Sequence, residues 1–249
     1  MKALELEHTP YHVLVRLNRP EVRNAIDQHM VDELHELCAG LELHPQILIL
    51  TGCDTDKGAI FASGADISQL RERRSADALR GINSTIFRRI AALPMPVIAA
   101  IDGFALGGGA ELAFAADFRI GTPRLRIGNP ETGLGIMAAA GATWRLIELV
   151  GEPVAKEILL AGRVLSADEA LALHLVTEIH EPDLLIDAAI ALASRISTQD
   201  PLAVQLTKKV MHAPRESHPL VEELAQAILF ESPEKFARMD AFLDAKKRK

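Results

Sequence analysis

Aromatic side chains are scarce in this chain of 249 residues: they make up 4%, with one Trp and one Tyr. The core must come from aliphatic and small side chains, and frequent Ala and Leu favour closely packed helices. Cysteine is rarer still. Cys38 and Cys53 fit no metal or redox spacing and read as two free thiols in a reducing cytosol, so the expected location is cytoplasmic. Long apolar runs are absent too. The most apolar region, "PVIAAIDGFALGGGAELAFAADF" at 96–118, is interrupted by Asp102, Glu111 and Asp117. Nothing reaches the roughly 18 uncharged residues of a membrane helix, and "MKALELEHTP" lacks an apolar signal core. The nine histidines fall in no H-E-x-x-H or similar spacing, which argues against a metal site. A net charge of -7 argues against non-specific nucleic-acid binding.

What remains is ordinary globular material, 49% hydrophobic and 24% charged. Short β-rich runs recur in the first half: "HVLVRL" (12–17), "ILILTG" (47–52), "PVIAAIDG" (96–103) and "DFRIGT" (117–122). Most are continuous apolar runs rather than alternating ones, as in strands buried on both faces. Between them, 27–43 repeats Met30, Leu34, Leu37 and Leu41 at helical spacing behind a cap-like Asp27. The pattern over 68–93 predicts one long helix. Alternating strands and helices imply a mainly parallel sheet with crossover helices. Beyond about residue 140 the chain reads as helices, with Pro153, Pro182, Pro201, Pro219 and Pro233 at or near their starts. The expected division is an α/β core over 1–190 and a helical region over 191–249. The last helices have wide apolar faces, including Leu220, Leu224, Ile228 and Leu229, that must cover their own core or a neighbouring subunit.

Three stretches can carry chemistry. "GFALGGGAEL" (103–112) sets a glycine cluster between a strand and a helix, where the backbone turns sharply and a ligand can approach it closely. Its spacing is neither a dinucleotide fingerprint nor a Walker loop. Glu111 lies in the first turn. "IFASGADI" (60–67) is a small-residue loop ahead of a helix, with Asp66 as its cap. Two such loops after neighbouring parallel strands could each aim one N–H at a single oxygen, the geometry of an oxyanion hole. In the third, "NPETGLGI", Glu131 follows Pro130. Each taken alone has a plain structural reading: helix–strand packing, an Asp-capped turn, a loop acid.

Together with "NRPEVRNAID" (18–27), these stretches resemble, in order and along essentially the whole chain, the enoyl-CoA hydratase/isomerase (crotonase) superfamily. The resemblance implies a crotonase-like α/β fold, a spiral core of ββα units with a mainly parallel sheet, followed by a helical C-terminal trimerisation region. It puts the oxyanion N–H groups at Ala65 and Gly108 and the two hydratase glutamates at Glu111 and Glu131. It implies substrate and CoA contacts near Arg23, Ala25, Ala62, Ala65, Asp66, Ile67, Leu106, Gly107 and Gly108. It further implies an acyl-CoA thioester as substrate, no permanently bound cofactor, no metal, and a homotrimer or a hexamer of paired trimers. The leading expectation is hydration of an enoyl-CoA. Isomerisation is the alternative, and an acyl-CoA-binding protein without turnover is the non-enzymatic one. A serine hydrolase built on Ser63 is disfavoured, because "FASGAD" lacks the G-x-S-x-G elbow.

The sequence departs from the family at one place. Many hydratases continue after the second acid with a segment resembling "GLIPGAGGTQRL". Here Ala138, Ala139 and Ala142 stand for the proline and two glycines, and Trp144 for the glutamine. Trp144 reads as a helix-packing residue or as a wall of the acyl pocket. The alanines are expected to bear on which acyl group fits.

Overall fold

The computed structural model describes residues 1–247. The chain opens with an antiparallel pair, β1 (Leu4–His8) and β2 (His12–Leu17), then α1 (Gln28–Leu43) and β3 (Ile47–Thr51). A second hairpin, β4 (Cys53–Thr55) and β5 (Gly58–Ala62), leads into α2 (Ile67–Glu72), α3 (Ser75–Arg80) and α4 (Ile82–Ala91). Next come β6 (Val97–Ile101), β7 (Phe104–Leu106), α5 (Gly108–Phe114), β8 (Phe118–Gly121) and β9 (Arg126–Gly128). A short 3-10 turn at Pro130–Leu134 precedes α6 (Ala142–Val150) and α7 (Glu152–Ala161). Then follow β10 (Val164–Ser166), α8 (Ala167–Ala172), β11 (Glu178–Ile179) and α9 (Leu185–Ser197). The chain ends in α10 (Pro201–Met211), α11 (Leu220–Phe230) and α12 (Pro233–Lys247).

Two sheets form. The larger has the order β1-β2-β3-β6-β8-β11, parallel throughout except for the β1–β2 pair. Its central strands are buried along their whole length, as the uninterrupted runs Ile47–Thr51 and Val97–Ile101 require. The smaller has the order β10-β9-β7-β5-β4, with antiparallel edges around a parallel centre. Strands β2, β3, β6 and β8 are the four that the sequence predicts. The smaller sheet escapes prediction because most of its strands have three residues, too few for a period to declare itself. For the same reason residues 60–62, read from sequence as the start of a loop, are the end of β5.

The single helix expected over 68–93 is three. Arg73 and Arg74 are extended, and the Asp77 carboxylate accepts from the Arg74 N–H at 2.9 Å to start α3. Gly81, at φ 61°, breaks the chain again before α4. The Asp27 and Asp66 caps form as expected: Asp27 accepts from Met30 N, and Asp66 from Ser68 N and Gln69 N.

By internal contacts the chain divides into two compact units, Met1–Ser194 and Arg195–Lys249. The first holds both sheets and a core built from Val13, Val15, Leu34, Leu48, Leu50, Phe61, Phe87 and Ile101 with a lining of alanines. The second is helical. In it α11 exposes Leu220, Leu224 and Ile228, and α12 exposes Phe236, Met239, Phe242 and Leu243. Among the described residues no helix is long and apolar enough to cross a membrane.

Candidate active site

The segment 18–27 builds the first loop of the site. Asn24 is fully buried at φ 52°. Its amide donates to Phe61 O at 3.0 Å, and its carbonyl oxygen accepts from Arg19 N at 2.8 Å. Asp27 and Arg19 pair at 3.1 Å beneath it. This anchored segment then grips residues 63–66: Ser63 N donates to Arg23 O, Ile26 N to Gly64 O and Asp66 N to Ile26 O. The pattern passes over Ala65, whose N–H makes no backbone hydrogen bond.

The second loop follows β7. Gly107 (φ 53°) turns the chain, with its N–H on Gly128 O, and α5 starts at Gly108. The two loops touch backbone to backbone. A Cβ on Gly109 would stand 2.3 Å from Ala62 O, so only glycine allows the approach. A Cβ on Gly108 would lie 3.5 Å from Ala65 N, and the Gly108 N–H makes no backbone hydrogen bond either. The main-chain nitrogens of Ala65 and Gly108, neither engaged in a backbone hydrogen bond, therefore lie close together where the two loops meet.

Both acids reach the same cavity, a volume of about 560 Å³ lined by Gly64, Ala65, Gly108, Glu111, Glu131 and Ala140 among others. Glu111, 3% exposed, is held by two backbone donors: its Oε1 accepts from Ala140 N at 2.7 Å and Ala142 N at 3.1 Å. Burial pushes its carboxyl up to about 7 against the pull of those donors, and the Glu131 charge pushes the same way. Glu131 sits in the 3-10 turn that precedes α6. Its Oε1 accepts from the Asn129 amide at 3.3 Å, and its buried Oε2 has no partner. Burial raises its pKa too, opposed by its own N–H and the Asn129 amide. Gly107 makes room for it: a Cβ there would lie 3.1 Å from Glu131 Oε1.

Of the residues that the resemblance implies, Ala65, Ile67, Gly107, Gly108, Glu111 and Glu131 line the cavity. Arg23, Ala25, Ala62, Asp66 and Leu106 are outside its lining. Arg23 stacks its guanidinium 5.4 Å from the Phe104 ring centre, and Asp66 spends its carboxylate on the α2 cap. Trp144 is not a wall of the cavity: it is 48% exposed, under the Arg145 guanidinium at 4.1 Å. The alanine-rich stretch does something that sequence reasoning missed. Its backbone holds Glu111, and Ala139 and Ala140 line the cavity. A main-chain donor leaves no mark in side-chain identity, so no signal could have revealed it. Among the described residues no cluster of His, Cys, Asp or Glu could hold a metal ion.

The enoyl-CoA hydratase/isomerase family model matches residues 12–248. The chain belongs to that family. A short-chain-enoyl-CoA hydratase of Clostridium acetobutylicum is 38% identical over 203 residues, 80% of this chain and 77% of that relative. A crotonyl-CoA hydratase of Syntrophomonas wolfei is 35% identical over 97% of this chain and 95% of its own. The crystal structure of an enoyl-CoA hydratase from Bacillus anthracis superposes with a TM-score of 0.89 at 30% identity, covering 98% of this chain and 96% of that one. The fold is thus the crotonase fold, and the chain is an enzyme of the enoyl-CoA hydratase type, whose family acts on CoA thioesters.

Proposed function

We propose that this enzyme adds water across the 2,3 double bond of a short enoyl-CoA, with Ala65 and Gly108 holding the thioester oxygen and Glu111 and Glu131 moving the protons. One observation carries the reading: a buried and a half-buried carboxyl group and two N–H groups without a backbone partner belong to residues lining a single cavity. Attack of water on the β-carbon drives negative charge onto the thioester oxygen. Fixed N–H donors stabilise that enolate-like state, each typically worth about 10²–10³ in rate. One carboxylate takes a proton from the attacking water, and one carboxylic acid delivers a proton to the α-carbon. Burial raises both carboxyl groups, Glu111 to about 7, and the charge of Glu131 further favours a proton on Glu111. The unpartnered Oε2 of Glu131 is an acceptor waiting for an O–H.

The names of the two relatives favour a short acyl group. Pairing into trimers or hexamers through the C-terminal helices, and a cytoplasmic location, belong to the same proposal; exposed apolar side chains on α11 and α12 support the first. The test is turnover of crotonyl-, medium-, long-chain and aromatic enoyl-CoAs with product mass, on the native enzyme and on Glu131→Gln and Glu111→Gln. Hydration should be fastest on the short chain and fall about 10²–10⁴-fold in each variant. Full hydration by Glu131→Gln would remove its role.

A further inference from the structure

Helix α4 places a polar group where its own pattern calls for an apolar one. Ile86, Phe87 and Ile90 are its buried face. Asn83 stands one turn earlier on that face, in line with Phe87 and Ile90 at helical spacing. It lines the cavity. Its Oδ1 is buried without a partner, and among the described residues no hydrogen bond engages its Nδ2. Asn83 itself is half-buried, and a polar side chain left open beside a cavity calls for an explanation.

The position of the amide says what. A Cβ on Gly108 would stand 3.5 Å from Asn83 Nδ2 and 3.5 Å from Ala65 N, in ordinary contact with both. Glycine at 108 therefore leaves an atom-sized space open. It is bounded by three N–H-bearing nitrogens: Ala65, Gly108 itself and the Asn83 side chain. We propose that Asn83 Nδ2 is a third donor to the thioester carbonyl oxygen, adding a side-chain N–H to the two main-chain ones. The inference rests on the oxyanion reading of Ala65 and Gly108. A third donor adds to a hole already preorganised, and it contributes most when the oxygen carries the charge of the enolate-like state, so it acts on kcat more than on KM.

The test replaces Asn83 by Leu, of similar shape, and by Asp, which presents only acceptors when ionised. With crotonyl-CoA, kcat should fall about 10–100-fold in Asn83→Leu and at least as far in Asn83→Asp, with KM within about threefold. A cinnamoyl-CoA carrying a para electron donor should show a smaller red shift of its absorbance when bound to either variant, because the carbonyl is less polarised. Thermal unfolding checks that both variants fold, and Asn83→Ser replaces any that does not. An unchanged kcat and red shift in folded Asn83→Leu would overturn the proposal. So would a loss confined to acyl groups with polar substituents, which would place the amide along the acyl chain instead. Glu131→Gln runs alongside: if it also retains hydration, the acid–base reading fails, whereas its loss of hydration beside an unaffected Asn83→Leu sinks only the third donor.

Discussion

A carboxyl group that is 3% exposed, as Glu111 is, must be neutral or well solvated by dipoles, and here both forces act. Burial and the neighbouring Glu131 favour the protonated form; the N–H groups of Ala140 and Ala142 favour the carboxylate. The net rise to about 7 has a consequence for stability. Between pH 4.5, the ordinary value, and about 7 the folded state keeps a proton that the unfolded chain gives up. Stability contributed by this group is therefore fully present below pH 4.5 and is lost as pH rises to 7, by up to about 3 kcal/mol. Glu111→Gln carries no such proton, and its amide oxygen can still accept from Ala140 and Ala142. Chemical denaturation at pH 5 and pH 8 should show a smaller loss of stability in the variant than in the native enzyme. An equal loss in both would place the titration elsewhere.

At the scale of elements, the site depends on how closely two loops approach. The Gly109–Ala62 contact sets that distance, and a methyl group there meets backbone rather than a side chain that could move aside. Gly109→Ala should cost about 1–3 kcal/mol from overpacking. It should also lower turnover by more than that stability loss explains, because it pushes the Gly108 N–H away from Ala65; thermal unfolding and crotonyl-CoA hydration measured together check this. A second prediction concerns the N-terminus. The buried Glu33 of α1 accepts from Lys2 N (2.5 Å), Ala3 N (2.9 Å) and Leu4 N (3.0 Å), tying the start of β1 to the helix. Glu33→Ala leaves those donors unmet and should cost about 2–3 kcal/mol, read by urea denaturation, with kcat on the folded fraction unchanged.

For the whole molecule, the apolar side chains of α11 and α12 are far more than scattered surface hydrophobes. Leu220, Leu224, Ile228, Phe236, Met239, Phe242 and Leu243 are each more than half exposed in the single chain. The proposed oligomer would cover them. Leu224→Glu with Ile228→Glu should shift the protein toward monomer in sedimentation. A native enzyme already monomeric at micromolar concentration would end the oligomer proposal.

Much of this protein was legible in its residues. The runs 12–17, 47–52, 96–103 and 117–122 read as strands, most of them buried on both faces, and they form the centre of the larger sheet. The motifs "NRPEVRNAID", "FASGADI", "FALGGGAEL" and "PETGLGI", taken in order, were enough to indicate the family by resemblance, and the family model matches residues 12–248. The smaller sheet, the breaks at Arg73 and Gly81, and the surroundings of Glu111 were not legible. Strands of three residues show no period, and a helix broken by a cap and a left-handed glycine keeps the same apolar spacing as a continuous one. The sequence alone determined which residues carry charge and which positions demand glycine. Only the tertiary structure decided that both acids share one cavity, that two alanine N–H groups cradle one of them, and that Trp144 faces outward. Those outcomes depend on main-chain atoms and on distances between segments far apart in the chain, and residue identity specifies neither.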